Sequence, residues 1–329
     1  MRSPQHIVIF HPAAIGDSMM ASPVPMVLKK YFPDAKITYW SHSSLRPLIL
    51  DMCPYIDQFL DFKKESVLRL LAILKATKCD LFVDLSASLR GGILSAFGSS
   101  KALRMTKKKV GDIAFGHMVD NFLDTIRPVC PKIPEKLFPT LEVEEMPVSA
   151  LSPDVVQLKN RSENLLAIVP GVGKLRPNRA WPLDNWVELI DSILRSGNFV
   201  PVFIGGPEEV DLGQDLEKKF PSCINLCGKL NLAQTAYVLK LSKLVLSADT
   251  GPAHIATAVG TPVIGLYGPT QASRYGPYDC RKIAIDKSDA CKCLYEKACH
   301  LNSGESSGEC MKSISTKSVL EKLQEQPGV

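Results

Sequence analysis

The chain has 329 residues, 45% of them hydrophobic and 22% charged, too long for one comfortable core and ordinary in composition, which predicts two globular domains and excludes extended disorder. No apolar run approaches the roughly 20 residues that a membrane-spanning helix needs, and ten cysteines in a chain of this length exclude a disulfide scaffold and are expected to be reduced. The net charge of +5 is uneven, because residues 1–140 carry 19 Lys+Arg against 12 Asp+Glu.

In chain order, the run 7–15 is short, interrupted by His11 and Pro12 and closely followed by Asp17, which makes it a poor signal peptide. Residues 6–10 (HIVIF) read as a buried strand. Residues 36–40 (KITYW) and 81–85 (LFVDL) read the same way, and 23–31 and 67–76 repeat apolar residues at helical spacing. Alternation of strand and helix predicts a parallel sheet wrapped by helices. The stretch 140–163, with Pro147, Pro153 and an acid-rich run at 142–145, reads as a junction, so the domains are expected at 1–155 and 156–329. A second series of strands follows at 165–170, 199–205, 244–247 and 262–267. Asp184 is expected to cap a helix with Trp186, Leu189, Ile190, Ile193 and Leu194 on one face, stopped by Gly197. Asn231 caps 232–241 and Ser315 caps 316–325, a last helix with the option of packing back on the first domain. The expected class is α/β, two Rossmann-like domains with a cleft between them.

Three turns could carry chemistry. After the first strand, Gly16 permits a tight backbone and Asp17 stands at the mouth of the next helix, where it either caps that helix or faces a ligand. The dinucleotide fingerprint G-x-G-x-x-G is absent, which weakens a dehydrogenase reading. The run Asp249, Thr250, Gly251, Pro252, Ala253, His254 follows a strand and opens a helix. Its free amides, the positive end of the helix dipole, the Thr250 hydroxyl and the close approach allowed by Gly251 make a phosphate site, with His254 on the first helical turn. The loop 170–182 carries Lys174, Arg176 and Arg179, cations suited to neutralising a diphosphate leaving group.

Between Asp84 and Asp112 there is no acid, while Arg90, Lys101, Arg104, Lys107, Lys108 and Lys109 crowd together. This is either a solvated surface or a face for a polyanion. Nucleic acid is disfavoured, since Phe97 is the only aromatic between Arg90 and Lys109. Cys291, Cys293, Cys299 and Cys310 form a C-x-C-x5-C-x10-C group whose spacing departs from the usual zinc knuckles. Free thiols are the default there, and a structural zinc with His300 the alternative.

These pieces in this order resemble glycosyltransferase family 9, the bacterial lipopolysaccharide heptosyltransferases. The resemblance rests on Gly16-Asp17 with Pro23, on Arg179-Ala180-Trp181-Pro182, on residues 247–254, on 260–270 (GTPVIGLYGPT) and on the cysteine-bearing tail ending at Cys310-Met311-Lys312. It implies a GT-B fold, the acceptor held by the N-terminal domain and the nucleotide sugar by the C-terminal one. It also implies inverting transfer with no required metal or other cofactor. Asp17 then takes the general-base position, and Thr250, Gly251 and His254 the nucleotide-phosphate positions. The donor implied is ADP-heptose and the acceptor a Kdo-lipid A type glycolipid, bound through the basic stretch at the cytoplasmic face of the inner membrane by a cytoplasmic, peripherally attached enzyme. Arg179 stands where the family usually has Lys. Asn231-Leu232-Ala233-Gln234 lacks the family's frequent Glu at the donor ribose, which leaves the donor's identity open. A same-fold transferase for another sugar nucleotide, a nucleotide-sugar epimerase and a non-catalytic sugar-nucleotide binder are the alternatives.

Overall fold

The computed structural model describes residues 3–99, 101–105, 116–145, 153–159, 164–278, 283–301 and 307–326. The chain divides into two compact units, Met1–Glu142 and Val143–Val329.

In the first unit, strands β1 (His6–Phe10), β2 (Lys36–Ser41), β3 (Gln58–Asp61), β4 (Leu81–Asp84) and β5 (Ala102–Arg104) alternate with helices α1 (Ile15–Met20), α2 (Pro23–Tyr31), α3 (Arg46–Ile49), α4 (Val67–Thr77) and α5 (Leu89–Phe97), and α6 (Met118–Ile126) follows. The strands pair in parallel in the order β3-β2-β1-β4-β5. β1 and β4 are buried along almost their whole length, as strands covered by helices on both faces must be. Val8, Phe10, Trp40, Phe82, Leu70, Leu74 and Leu94 close one face of the sheet against α4 and α5. Phe10 meets Trp40 edge to face, centroids 5.1 Å apart.

The second unit has α7 (Pro153–Lys159), β6 (Leu165–Val169), α8 (Leu183–Ser196), β7 (Val200–Phe203), α9 (Val210–Lys219), β8 (Ile224–Asn225), α10 (Leu232–Leu241), β9 (Leu244–Ala248), α11 (Gly251–Ala258), β10 (Val263–Tyr267), α12 (Ala272–Tyr275), β11 (Ile285–Asp286), α13 (Glu309–Lys312) and α14 (Thr316–Gln324). Its parallel sheet runs β11-β10-β9-β6-β7-β8. The chain builds outward from β6 to β8, then restarts on β6's other side with β9. The loops after β6 and β9 therefore leave neighbouring strands in opposite directions. This switch point is where parallel sheets receive ligands.

Two local expectations change. Asp184 lies inside the first turn of α8, and the N-cap position belongs to Pro182, because the rigid proline already fixes the extended entry. α14 packs beside α8, with its Val319 and Leu323 buried in the second unit's core. The cysteine group separates: Cys310 sits in that core with Cys291 packed against it, and burial and the adjoining Cys291 thiol push Cys310 up to about 12, so it stays a thiol. Gly197 (φ +69°) ends α8 left-handed and Asn231 caps α10, both as expected, and Gln234 Oε1 accepts from Asn231 N in return.

Candidate active site

At the carboxyl edge of the first sheet, β1 runs into a turn anchored by His11. Its carbonyl accepts from Ser41 Oγ at 2.6 Å and Ala13 N at 2.9 Å, and its Nδ1 is 2.8 Å from the Tyr39 hydroxyl. Burial drops the His11 imidazole to about 3, so the ring is neutral and structural. The turn delivers the chain into α1, whose N-cap position is Ala14, with no capping side chain. Asp17 sits in the first turn, partly exposed. Gly16 is helical and has no positive φ, so its expected role in a tight turn gives way to simple helix entry.

A second acid shares this edge. Asp84 ends β4 in register with Phe10, the last residue of β1, and is fully buried. Ser86 N and Oγ donate to its Oδ1 at 2.9 and 2.6 Å, and Arg104 Nε pairs with its Oδ2 at 3.3 Å. Burial raises its carboxyl above the ordinary range, with Ser86 and Arg104 pulling it partly back. Arg104 also donates Nη2 to Ser88 O at 2.9 Å, so much of its donor capacity is spent inside the protein. In the sequence Asp84 is marked only by being the one acid inside the apolar run LFVDL. Arg90 lies half-buried on α5 and Lys101 is exposed before β5, while Lys107, Lys108 and Lys109 lie outside the described residues.

In the second unit the switch-point loops converge on Asp249, only 6% exposed. Arg179 Nη1 pairs with its Oδ2 at 3.0 Å and donates to its carbonyl at 3.2 Å. Thr270 Oγ1 donates to Oδ2 at 2.7 Å, and His254 Nε2 lies 3.6 Å from Oδ1. Burial alone would raise this carboxyl, but His254, Arg179 and Thr270 together hold it below its ordinary value, ionised. Thr270 was missed in the sequence, where it appears only as the end of the GPT turn after β10.

Arg179, Asp249, Thr250, Gly251, Pro252 and His254 are thus brought together, with roles finer than the sequence suggested. Asp249 is the hub that orients Arg179, and His254 is buried against it. Among the described residues the Arg179 Nε and Nη2 donors have no protein partner. Thr250, in extended conformation at the N-cap of α11, places no side-chain cap on the helix. Its Oγ1 is 2.9 Å from Ser247 Oγ, a bond its proton must leave to reach a phosphate. The first turn of α11 is therefore left without a capping side chain at the positive end of the helix dipole, with Pro252 contributing no N–H.

The third loop behaves differently. Gly173 N and Lys174 N donate to Glu209 Oε1 and Glu208 Oε2 at 2.9 and 2.7 Å, so carboxylates already occupy these amides. Arg176 Nη1 is spent on the carbonyls of Tyr295 and Glu296, 3.2 Å from each. Lys174 keeps an exposed side chain beside a cavity of about 300 Å³ that also borders Val172, Pro177, Trp181 and Glu208. Trp181 stacks edge to face on Trp186 at 4.9 Å and donates its indole N–H to Ile314 O at 2.9 Å, fixing the loop's far end. Chemically, the loops can hold an anion against a pre-oriented guanidinium and a helix N-terminus, while the first sheet offers carboxylates at its carboxyl edge.

The family model "Glycosyltransferase family 9 (heptosyltransferase)" matches residues 69–303. The chain is 26% identical over 351 aligned positions to the lipopolysaccharide core heptosyltransferase OpsX of Haemophilus influenzae, covering 99% of this chain and 95% of that one. Among solved structures, E. coli ADP-heptose LPS heptosyltransferase II superposes with a TM-score of 0.74 at 20% identity, covering 97% of each chain. E. coli heptosyltransferase WaaC with ADP gives 0.72 at 16% identity, covering 97% of this chain and 99% of that one. The two parallel sheets are thus those of the GT-B heptosyltransferases, and the chain belongs to glycosyltransferase family 9, the heptosyltransferases, and is a glycosyltransferase.

Proposed function

We propose that this enzyme transfers heptose from ADP-heptose, with inversion, to a Kdo-lipid A type inner-core acceptor of lipopolysaccharide, and does so without a catalytic metal. The carrying observation is the arrangement of residues at the second sheet's switch point. There Arg179, oriented by buried Asp249, and the uncapped N-terminus of α11 together supply the positive charge that a nucleoside diphosphate leaving group requires. That one solved relative was captured with ADP favours an adenine nucleotide. In this reading the acceptor is held by the first unit. Asp17 draws the proton from the acceptor hydroxyl as that oxygen attacks the anomeric carbon opposite the departing diphosphate. Charge develops on the leaving phosphate and is met by Arg179 Nε or Nη2 and the α11 amides. His254 and Thr270 keep Asp249 from swinging and so keep Arg179 aimed.

The glycolipid acceptor implies work at a membrane surface, and we place the enzyme at the cytoplasmic face of the inner membrane through peripheral contact. Among the described residues no helix is long and apolar enough to cross a membrane. The first unit does expose large apolar side chains on the α4 and α5 pair: Leu68 is 79%, Leu89 81% and Phe97 68% exposed. Arg90, Lys101 and Arg104 lie on or beside α5, a combination suited to anionic lipid and to acceptor phosphates.

Isothermal titration of the protein with ADP, UDP and GDP, first without divalent cation and then with magnesium, tests the donor. ADP-selective binding that needs no magnesium supports the reading. Selective UDP or GDP binding would replace the donor, and an absolute requirement for magnesium would remove the metal-free leaving-group site.

A further inference from the structure

The segment 291–301 contains neither helix nor strand, yet it gathers three metal-ligating side chains, Cys293, Glu296 and His300, with a second thiol, Cys299, against the first of them. Cys293 Sγ stands 3.2 Å from Cys299 Sγ and 3.4 Å from His300 Nδ1, and His300 Nδ1 stands 2.9 Å from Glu296 Oε2. The ligand atoms of Cys293, Glu296 and His300 all lie within 4.8 Å of one another. Around a tetrahedral zinc ion, with Zn–S of about 2.3 Å and Zn–N or Zn–O of about 2.0 Å, neighbouring ligand atoms stand about 3.3–3.8 Å apart, so these contacts lengthen by up to about 0.6 Å to admit the ion. The two sulfurs are far beyond the roughly 2.05 Å of a disulfide. An exposed His–Glu pair four residues apart is common and worth little, but it does not explain two thiols brought to the same imidazole. Tyr295, at φ +65°, turns the backbone between Cys293 and Cys299 so that the two meet.

We propose that Cys293, Cys299, His300 and Glu296 hold one zinc-class divalent cation as a structural site. Cys293 and Cys299 bind as thiolates, His300 binds through Nδ1, and the two protons lost from sulfur pass to solvent. The site is separate from the transfer chemistry but mechanically joined to it. Glu296 O accepts from Arg176 Nη1 and Asn178 Nδ2, each at 3.2 Å. Tyr295 N donates to Pro269 O at 2.7 Å, and its hydroxyl to Gln271 Oε1 at 2.6 Å. The cation therefore staples a loop that braces the residues just before Arg179 and on either side of Thr270, two of the groups that hold Asp249.

The test is the metal content of the full chain purified without chelator, alongside titration of the metal-free protein with Co²⁺. About one zinc per chain is expected, together with thiolate-to-cobalt charge-transfer absorption of a tetrahedral site. Both should vanish in Cys293→Ser/Cys299→Ser and persist in Cys79→Ser, which changes a distant thiol. The cobalt spectrum of the unaltered chain keeps the test valid if the double variant fails to fold. A chain that purifies without zinc and gives no cobalt–thiolate band would overturn the proposal, as would a Cys293–Cys299 disulfide in the purified protein. Removing the zinc is further expected to weaken ADP binding several-fold, and unchanged affinity would overturn the bracing role.

Discussion

Asp249 owes its charge to side chains from three separate stretches of the second unit, and each can be removed singly. Asp249→Asn keeps the shape but leaves Arg179, 21% exposed, without its counter-ion. A loss of about 3 kcal/mol in urea unfolding is expected. Arg179→Lys keeps the charge but loses the planar fork, and about tenfold weaker ADP binding is expected by calorimetry, about 1.4 kcal/mol. His11 gives a pH signature. Its folded value of about 3 lies below the ordinary value of 6.5, so the unfolded chain takes up a proton that the folded chain refuses. Its contribution is present above pH 6.5 and is lost as pH falls towards 3, with a slope of up to about 1.4 kcal/mol per pH unit. His11→Gln should flatten that limb in urea titrations across pH; an unchanged slope would assign it to other groups. At this scale the sequence showed the loops but not their partners. Asp17, Arg179 and residues 249–254 stood out because they sit where strands end. Asp84 and Thr270 did not, because their significance lies in contacts made across the sheet edge.

Helices and long strands were the most legible elements, since an apolar run buried on both faces has no other reading in an alternating α/β chain. β3, β5, β8 and β11, two to four residues each, carry too few side chains to show a pattern and exist through pairing with a neighbour. Asn231 as the cap of α10 was readable from the sequence, its return partner Gln234 was not, and Asn231→Ala should cost about 1 kcal/mol of stability. The fit of α5 on β4 was not readable. A Cβ at Gly91 would stand 2.3 Å from Asp84 Oδ2, closer than any side chain tolerates. Gly91→Ala is therefore expected to displace the buried carboxylate and cost about 1–3 kcal/mol in thermal unfolding. A neutral effect would mean that the strand end can yield.

For the whole molecule, the order of strands decides where chemistry sits. In the second unit the restart on β6's far side brings loops 171–179 and 249–251 to one point, and alternation of elements alone could not reveal that β9 lies beside β6 rather than beyond β8. In the first unit the same doubly wound logic puts Asp17 after the central strand β1. The account's central claim is that Asp17 acts as base for heptose transfer while the second unit holds the donor. The most direct measurement is mass-spectrometric detection of heptose added to a Kdo-lipid A acceptor, using ADP-heptose with the unaltered enzyme and with Asp17→Asn. The account predicts product with the unaltered enzyme, a rate about 10³-fold lower in the variant, and ADP affinity in the variant within about twofold of the original. A variant that transfers at a near-normal rate, or one that loses ADP binding together with transfer, would contradict it.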